Sequence, residues 1–190
     1  MIKKVFVTGI GTGIGKTHVS AMLVKLWNAD YWKPIQSGDL QRSDSMQVAE
    51  LADHNVKIFP EQYKLTAALS PHASAALDGL NILLSDFSLP DTDRSLVVEG
   101  AGGLYVPIND DEFIIDLIVH LKLPVVLVLQ DYLGCINHTM LSIEALVSKG
   151  IPIDTVVFNG DFSEATSSII RKHLPVGVEC LTSPWKSKEV

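Results

Sequence analysis

The segment Gly9-Ile10-Gly11-Thr12-Gly13-Ile14-Gly15-Lys16-Thr17 directly follows the apolar run Val5-Phe6-Val7-Thr8, an order that sets a glycine-rich turn between a strand and a helix. Such a turn aims backbone N–H groups into one concavity, the helix N-terminus adds partial positive charge, and the Lys-Thr pair supplies an ammonium and a metal-binding hydroxyl. The reading is a P-loop, with Lys16 at the outer phosphates and Thr17 at magnesium. The glycines are offset: the usual spacing to Gly-Lys calls for glycine at position 10, where Ile10 stands, and Gly9 opens the loop one residue early. The dinucleotide pattern G-x-G-x-x-G fails, because from Gly9 its last glycine falls on Ile14 and from Gly11 on Lys16. The glycines therefore favour a nucleoside triphosphate over a dinucleotide. The bland alternative, a glycine-rich turn with a chance Gly-Lys-Thr, is opposed by the flanking strand and helix signals.

At 190 residues, 47% hydrophobic and 19% charged, the chain suits one well-buried α/β domain spanning 1–190. A net charge of −7 argues against binding nucleic acid, which needs clustered Lys and Arg, so a small-molecule ligand is expected. Cys135 and Cys180 form no C-x-x-C and suggest neither zinc nor a disulfide framework, which fits a reduced, cytoplasmic protein. The start, Met1-Ile2-Lys3-Lys4, runs straight into a strand, and apolar stretches such as Val125 to Leu129 are strand-length; neither a signal peptide nor a membrane segment is expected.

Short β-branched runs alternate with helical patterns. Strands are expected near Lys4–Thr8, Tyr31–Pro34, Ser95–Glu99, Val125–Leu129 and Thr155–Asn159, with a possible sixth near Val176–Glu179. Helices are expected over Lys16–Trp27, Ser43–Ala52, Phe113–Leu121, Ile136–Lys149 and Ser163–His173, and Ser70-Pro71 starts another. Leu84 to Asp93 reads as a polar surface connection. The alternation predicts a P-loop NTPase-like, three-layer α/β/α fold with a mostly parallel sheet. Ligands of such sheets lie beyond the carboxyl ends of the strands. That selects the P-loop, Lys33–Gly38, Glu99–Gly103, Gln130–His138 and Asn159–Asp161 as converging segments.

Leu96-Val97-Val98-Glu99 is an apolar strand ending in an acid, where P-loop proteins hold magnesium, and Gly100-Ala101-Gly102-Gly103 then lets backbone approach a ligand. In Lys33-Pro34-Ile35-Gln36-Ser37-Gly38, Lys33 is either a second cation for a transferring phosphoryl group or a solvated strand-end lysine. Asp44 is a helix cap or a magnesium ligand, and spacing slightly favours the cap. Free N–H groups at Gly134-Cys135-Ile136-Asn137-His138 could bind a carboxylate. Cys135 reads as a small buried hydrophobe and His138 as a packing or capping residue.

Val7-Thr8-Gly9 with Thr12 and Gly15-Lys16-Thr17, Lys33-Pro34 with Ser37-Gly38, Ser43-Asp44, Ser70-Pro71-His72, Val98-Glu99-Gly100-Ala101-Gly102-Gly103 and Gly134-Cys135-Ile136-Asn137-His138 together resemble the dethiobiotin synthetase family in order and spacing, from about Val5 to Asn159. That family carries the same lengthened loop. The resemblance implies a homodimeric ligase of biotin synthesis that uses ATP and Mg²⁺ to close a cyclic urea on 7,8-diaminononanoate with CO₂. A carbamate and a carbamic-phosphoric anhydride would be the intermediates.

Carried over, Lys16 and Lys33 would stabilise the carbamate and the moving phosphoryl group, with Thr12 and Ser37 bonding the same oxygens. Thr17, Asp44 and Glu99 would hold magnesium. Gly13, Ile14, Gly15, Lys16, Thr17, His18, Glu99, Gly102 and Asn159 would contact the nucleotide, Asn159 at the adenine edge. Gly134, Cys135, Ile136 and Asn137 would bind the substrate carboxylate across the dimer interface, beside Thr12, Lys33 and Ser37. Two departures stand out: Gly11 and Gly13 replace acidic residues common in the family's loop, and Gly177-Val178-Glu179-Cys180 poorly represents its Gly-x-Ile-Pro segment. The competing readings are a cobyrinic-acid-type amidoligase, which usually carries a glutaminase domain for which there is no room, and a partitioning-type switch ATPase. The switch ATPase would carry a signature lysine where Gly11 stands.

Overall fold

Strand residues with apolar side chains on both sides need helices on both faces of the sheet, and this chain supplies them in order. The computed structural model describes residues 2–52 and 56–184. The elements are β1 (Lys4–Gly9), α1 (Lys16–Trp27), β2 (Asp30–Trp32), β3 (Ile35–Ser37), α2 (Asp44–Ala52), β4 (Ile58–Phe59), β5 (Tyr63–Leu65), α3 (Pro71–Leu77), β6 (Leu96–Gly103), α4 (Ile114–Leu121), β7 (Val125–Leu129), α5 (Cys135–Ser148), β8 (Ile153–Asn159), α6 (Glu164–Lys172) and β9 (Glu179–Ser183). Seven strands form one sheet in the order β4-β2-β6-β1-β7-β8-β9, and every neighbouring pair in it is parallel. Strands β3 and β5 form a separate parallel pair.

Period-two alternation divides the core. Val5, Val7, Val97, Val126, Val128 and Val157 face α1 and α2, packing on Val19, Leu23, Val24 and Val48. Phe6, Leu96, Val98, Leu127, Val156 and Phe158 face the other way, onto Ile115 and Ile118 of α4, Leu146 of α5 and Ile170 of α6. The same parity places Glu99 on the α1 side, two residues beyond Val97 and opposite Val7 of β1.

Beyond that point the two central strands lose step. Val7 pairs with Glu99 and Gly9 with Gly103, so β6 takes four residues where β1 takes two. The extra length carries Gly102 and Gly103 beside the P-loop. Gly9 has a packing reason of its own, since a Cβ there would lie 2.1 Å from Cδ1 of Ile14, which folds back over it.

Several boundaries differ from expectation. The last strand is Glu179–Ser183 and not Val176–Glu179, because Pro175 to Gly177 makes the preceding turn, with Gly177 at φ +88°. The segment equivalent in position to the other strand ends is therefore Ser183-Pro184. Strands β3 to β5, each two or three residues long, are too short to show alternation. Leu84 to Asp93 is anchored by a 3₁₀ turn at Leu84–Asp86 and by buried Phe87, whose ring lies 5.7 Å from that of Tyr63. No helix among the described residues is long and apolar enough to cross a membrane.

Gly100 lies flat against the ring of Phe6, which is wholly buried, and a Cβ would come within 2.6 Å of Phe6 Cε1. Gly100→Ala should lower stability by about 1–3 kcal/mol through overpacking. A lowered midpoint of urea unfolding, partly restored in the double variant with Phe6→Leu, is the expected result; an unchanged midpoint would contradict this packing.

Candidate active site

At the carboxyl end of β1 the chain turns through Gly11 to Gly15 and enters α1, with Gly13 at φ +73° and Gly15 at φ +83°. Left-handed backbone at these two positions is cheap only for glycine. No side chain caps α1 at Gly15, so the first N–H groups of the helix stay available to an anion. The Lys16 ammonium donates to the Gly11 carbonyl at 3.1 Å across the loop.

The floor of the site is a buried cluster built on Glu99, which is 1% exposed. Its Oε1 accepts from the Thr17 hydroxyl at 2.9 Å and from Lys33 Nζ at 3.2 Å, while its Oε2 accepts from the Tyr31 hydroxyl at 2.9 Å. Lys33 Nζ also donates to the Gly100 carbonyl at 3.1 Å and pairs with Asp44 Oδ2 at 2.5 Å. Strand register explains the meeting. Trp32 lies beside Val98, so the next step beyond β2 brings Lys33 alongside Glu99.

Lys33 is 3% exposed, which rules out a solvated strand-end lysine. Nor does Asp44 cap α2: the Ser43 hydroxyl accepts the Met46 N–H at 3.3 Å, while the Asp44 carboxylate turns to Lys33. The Asp44 N–H donates to Gln36 Oε1, which ties α2 to β3.

Burial sets the charge states. It pulls Lys16 down to about 8, and the neighbouring Lys33 ammonium adds to the effect. Burial opposes charge on Lys33 as well, but the carboxylates of Glu99 and Asp44 outweigh it and hold Lys33 above the ordinary lysine range. Asp44 meets the same opposition and is held below the usual carboxylate range chiefly by Lys33. Burial and then Glu99 push Tyr31 well above the usual phenol, so it stays a donor.

Above this floor lies a cleft of about 870 Å³. Thr12, Gly13, Gly15, Lys16, Thr17, His18, Lys33, Ser37, Asp44, Glu99 and Gly102 line it. Burial lowers the pKa of His18, which favours the neutral ring. Ser37 Oγ is buried and lacks a hydrogen-bond partner. Ser70 and Pro71 reach the same space, and so do Gln36 and Arg42, which the motifs did not single out.

Other expected residues lie elsewhere. Asn159 is fully buried: its Nδ2 donates to the Ile14 carbonyl at 2.8 Å and braces the P-loop from behind, while its Oδ1 has no partner. Gly134, Ile136 and Asn137 are exposed at the start of α5, outside the cleft, because β7 lies across β1 from β6 and β2. Cys135 is buried there and pushed up by burial, as its reading as a small hydrophobe requires. His138 is exposed and packs on Tyr132, with the two rings 5.7 Å apart and Nδ1 2.7 Å from the Tyr132 hydroxyl.

Tyr31 is the participant that motif reading missed. The available signal was parity, since Tyr31 and Lys33 share one strand face, as Val97 and Glu99 do.

Comparison with known proteins gives a consistent result. A family model described as an AAA domain matches residues 3–182. The ATP-dependent dethiobiotin synthetase BioD of Christiangramia forsetii is 48% identical over 173 residues, covering 90% of this chain and 83% of that protein. The protein of the same name from Cytophaga hutchinsonii is 44% identical over 194 residues, covering 100% and 93%. That of Paramagnetospirillum magneticum is 47% identical over 169 residues, covering 89% and 82%.

The lowered pKa of Lys16 gives the site a pH signature. An anion held by the Lys16 ammonium would bind with full affinity below about pH 8, where the free protein carries the charge, and would lose it as pH rises. Calorimetric titration with ADP should show affinity falling above pH 8 with net proton uptake on binding. In Lys16→Gln, binding should be weak and flat across that range.

Proposed function

The chain belongs to the ATP-dependent dethiobiotin synthetase family, and on that premise we propose how its residues carry out the reaction. It is an ATP-dependent ligase of biotin biosynthesis that forms dethiobiotin. The observation that supports a residue-level reading is the Glu99 cluster: a buried carboxylate beneath the P-loop, with Thr17 and Lys33 on one oxygen and Asp44 on the same lysine.

Two carboxylates and a hydroxyl suit magnesium, a hard cation that takes oxygen ligands and keeps several waters. Thr17, Asp44 and Glu99 would hold it, and when bound it would neutralise charge on the phosphate oxygens of ATP. The P-loop amides from Gly13 to Thr17 cradle the phosphates, Lys16 contacts the outer ones, and His18 and Gly102 close the sides. Asn159 has its amide nitrogen committed to Ile14; its Oδ1 lacks a partner but is buried, so it would accept from the adenine amino group only if the segment covering it opened.

One amine of 7,8-diaminononanoate takes up CO₂ as a carbamate. Lys33 and Lys16 steady that anion and the γ-phosphoryl group as it is transferred, and Thr12 and Ser37 hydrogen-bond the same oxygens. The second amine then displaces phosphate and closes the ring. These steps need positioning and charge neutralisation more than covalent participation by the protein. The substrate carboxylate goes to the exposed N-terminus of α5 at Gly134 to Asn137, supplied by a second subunit of a cytoplasmic homodimer. Their exposure outside their own chain's cleft supports that arrangement.

Phosphate release from Mg-ATP should require both the diamine and CO₂, and should match the cyclic urea detected by mass. Release that ignores the diamine would overturn this reading. Lys16→Gln should cut turnover by roughly 10²- to 10³-fold with the fold intact; near-normal turnover would remove Lys16 from the mechanism. If the site is shared, an equimolar mixture of Lys16→Gln and Asn137→Ala, each inactive alone, should recover about one quarter of wild-type activity through mixed dimers. No recovery on exchanging subunits would place the carboxylate site elsewhere.

A further inference from the structure

The Glu99 carboxylate accepts three hydrogen bonds from side chains of unequal freedom. Thr17 and Lys33 both bond Oε1, and both line the cleft, where phosphate, carbamate or metal competes for them. Tyr31 alone bonds Oε2. Its side chain is wholly buried on the α1 side of the sheet, among Val5, Val7, Val97 and Val126, and it does not line the cleft. Nothing that binds there competes for its hydroxyl.

We propose that Tyr31 is a positioning residue that pins Glu99 by Oε2 and so keeps Oε1 turned to the cleft. The proposal rests on the reading of Glu99 as a magnesium-holding group. Its geometry follows from strand register. Tyr31 pairs with Val97, and Glu99 lies two residues further along on the same face, so the phenol spans the diagonal from one position to the other. Trp32 points to the opposite face and donates its indole N–H to the Pro60 carbonyl at 3.1 Å, which fixes β2 against rotation.

A carboxylate held at one oxygen cannot pivot when its other partners leave. Removing the pin leaves a buried, charged oxygen unpaired, and the carboxylate then turns to share Thr17 and Lys33 between both oxygens. The metal-facing lone pair is lost with that turn.

The test uses the full chain and Tyr31→Phe, which preserves the ring and removes the hydroxyl. Mn²⁺, a paramagnetic stand-in for magnesium, is titrated into protein holding a non-hydrolysable ATP analogue, and free Mn²⁺ is read by electron paramagnetic resonance. Loss of an outer hydrogen-bond partner should weaken metal binding roughly 10- to 100-fold. The magnesium concentration for half-maximal turnover should rise in parallel, while binding of the analogue without metal stays unchanged. Val126→Ala, a cavity variant in the same core cluster, should lower the unfolding midpoint without moving Mn²⁺ affinity. Glu99→Gln separates the two ways of failing. If it loses Mn²⁺ while Tyr31→Phe binds within about two-fold of wild type, the Tyr31 role is wrong and the Glu99 reading stands. If Glu99→Gln also binds normally, both are wrong.

Discussion

A carboxylate sealed midway along a central strand is costly unless donors surround it, and Glu99 meets that demand with a hydroxyl, an ammonium and a phenol. The donors come from three places in the chain, α1, the step beyond β2, and β2 itself, so their meeting depends on the order β2-β6-β1 at the heart of the sheet. Lys33 then carries the demand to Asp44 and so to α2. One ammonium, Lys33, bridges two carboxylates, Glu99 and Asp44, while Lys16 bonds the Gly11 carbonyl instead. Breaking such a set by removing one member typically costs about 3–5 kcal/mol, because an uncompensated charge stays behind.

Unequal distribution of that balance has a chemical use. Lys33 shares two carboxylates and stays charged throughout, whereas Lys16 has a carbonyl as its hydrogen-bond partner and is depressed by burial and by Lys33. Lys16 is the ammonium that no carboxylate bonds directly, and a phosphate entering the loop, as proposed, would supply the missing charge. Lys33 is held charged at the edge of the cleft, but its three N–H groups go to Glu99, Gly100 and Asp44, so it would have to release one of them to donate to a transferred group.

Much of this was legible in the sequence because strand ends advertise themselves. The P-loop glycines, the acid closing Leu96-Val97-Val98 and the lysine after Tyr31-Trp32 each sit where an apolar run stops, and the sheet brings all three to one edge. What was hidden depended on distance between segments. Asp44 looked like a cap because Ser43 and Asp44 are both good capping residues, and no local signal shows that Lys33 lies within reach. Tyr31 reads as one more β-former, and its partner is 68 residues away. The last strand was displaced by a few residues because Gly177 and Pro175 mark a turn without fixing which side of it is extended.

The exposed start of α5 follows from the same topology that builds the cluster. A sheet whose cleft opens between β1 and β2 gathers ligands from β6 and β2, while β7 and β8 deliver their strand ends on the far side of the P-loop. Asn159 uses that position to grip the loop from behind through the Ile14 carbonyl. The N-terminus of α5 lies exposed, beside Leu133, an apolar side chain fully open to solvent. A helix N-terminus can bind a carboxylate strongly only where water is kept away. Covering Leu133 with a second subunit would exclude that water, so the proposed dimer and the proposed carboxylate site would answer the same physical need.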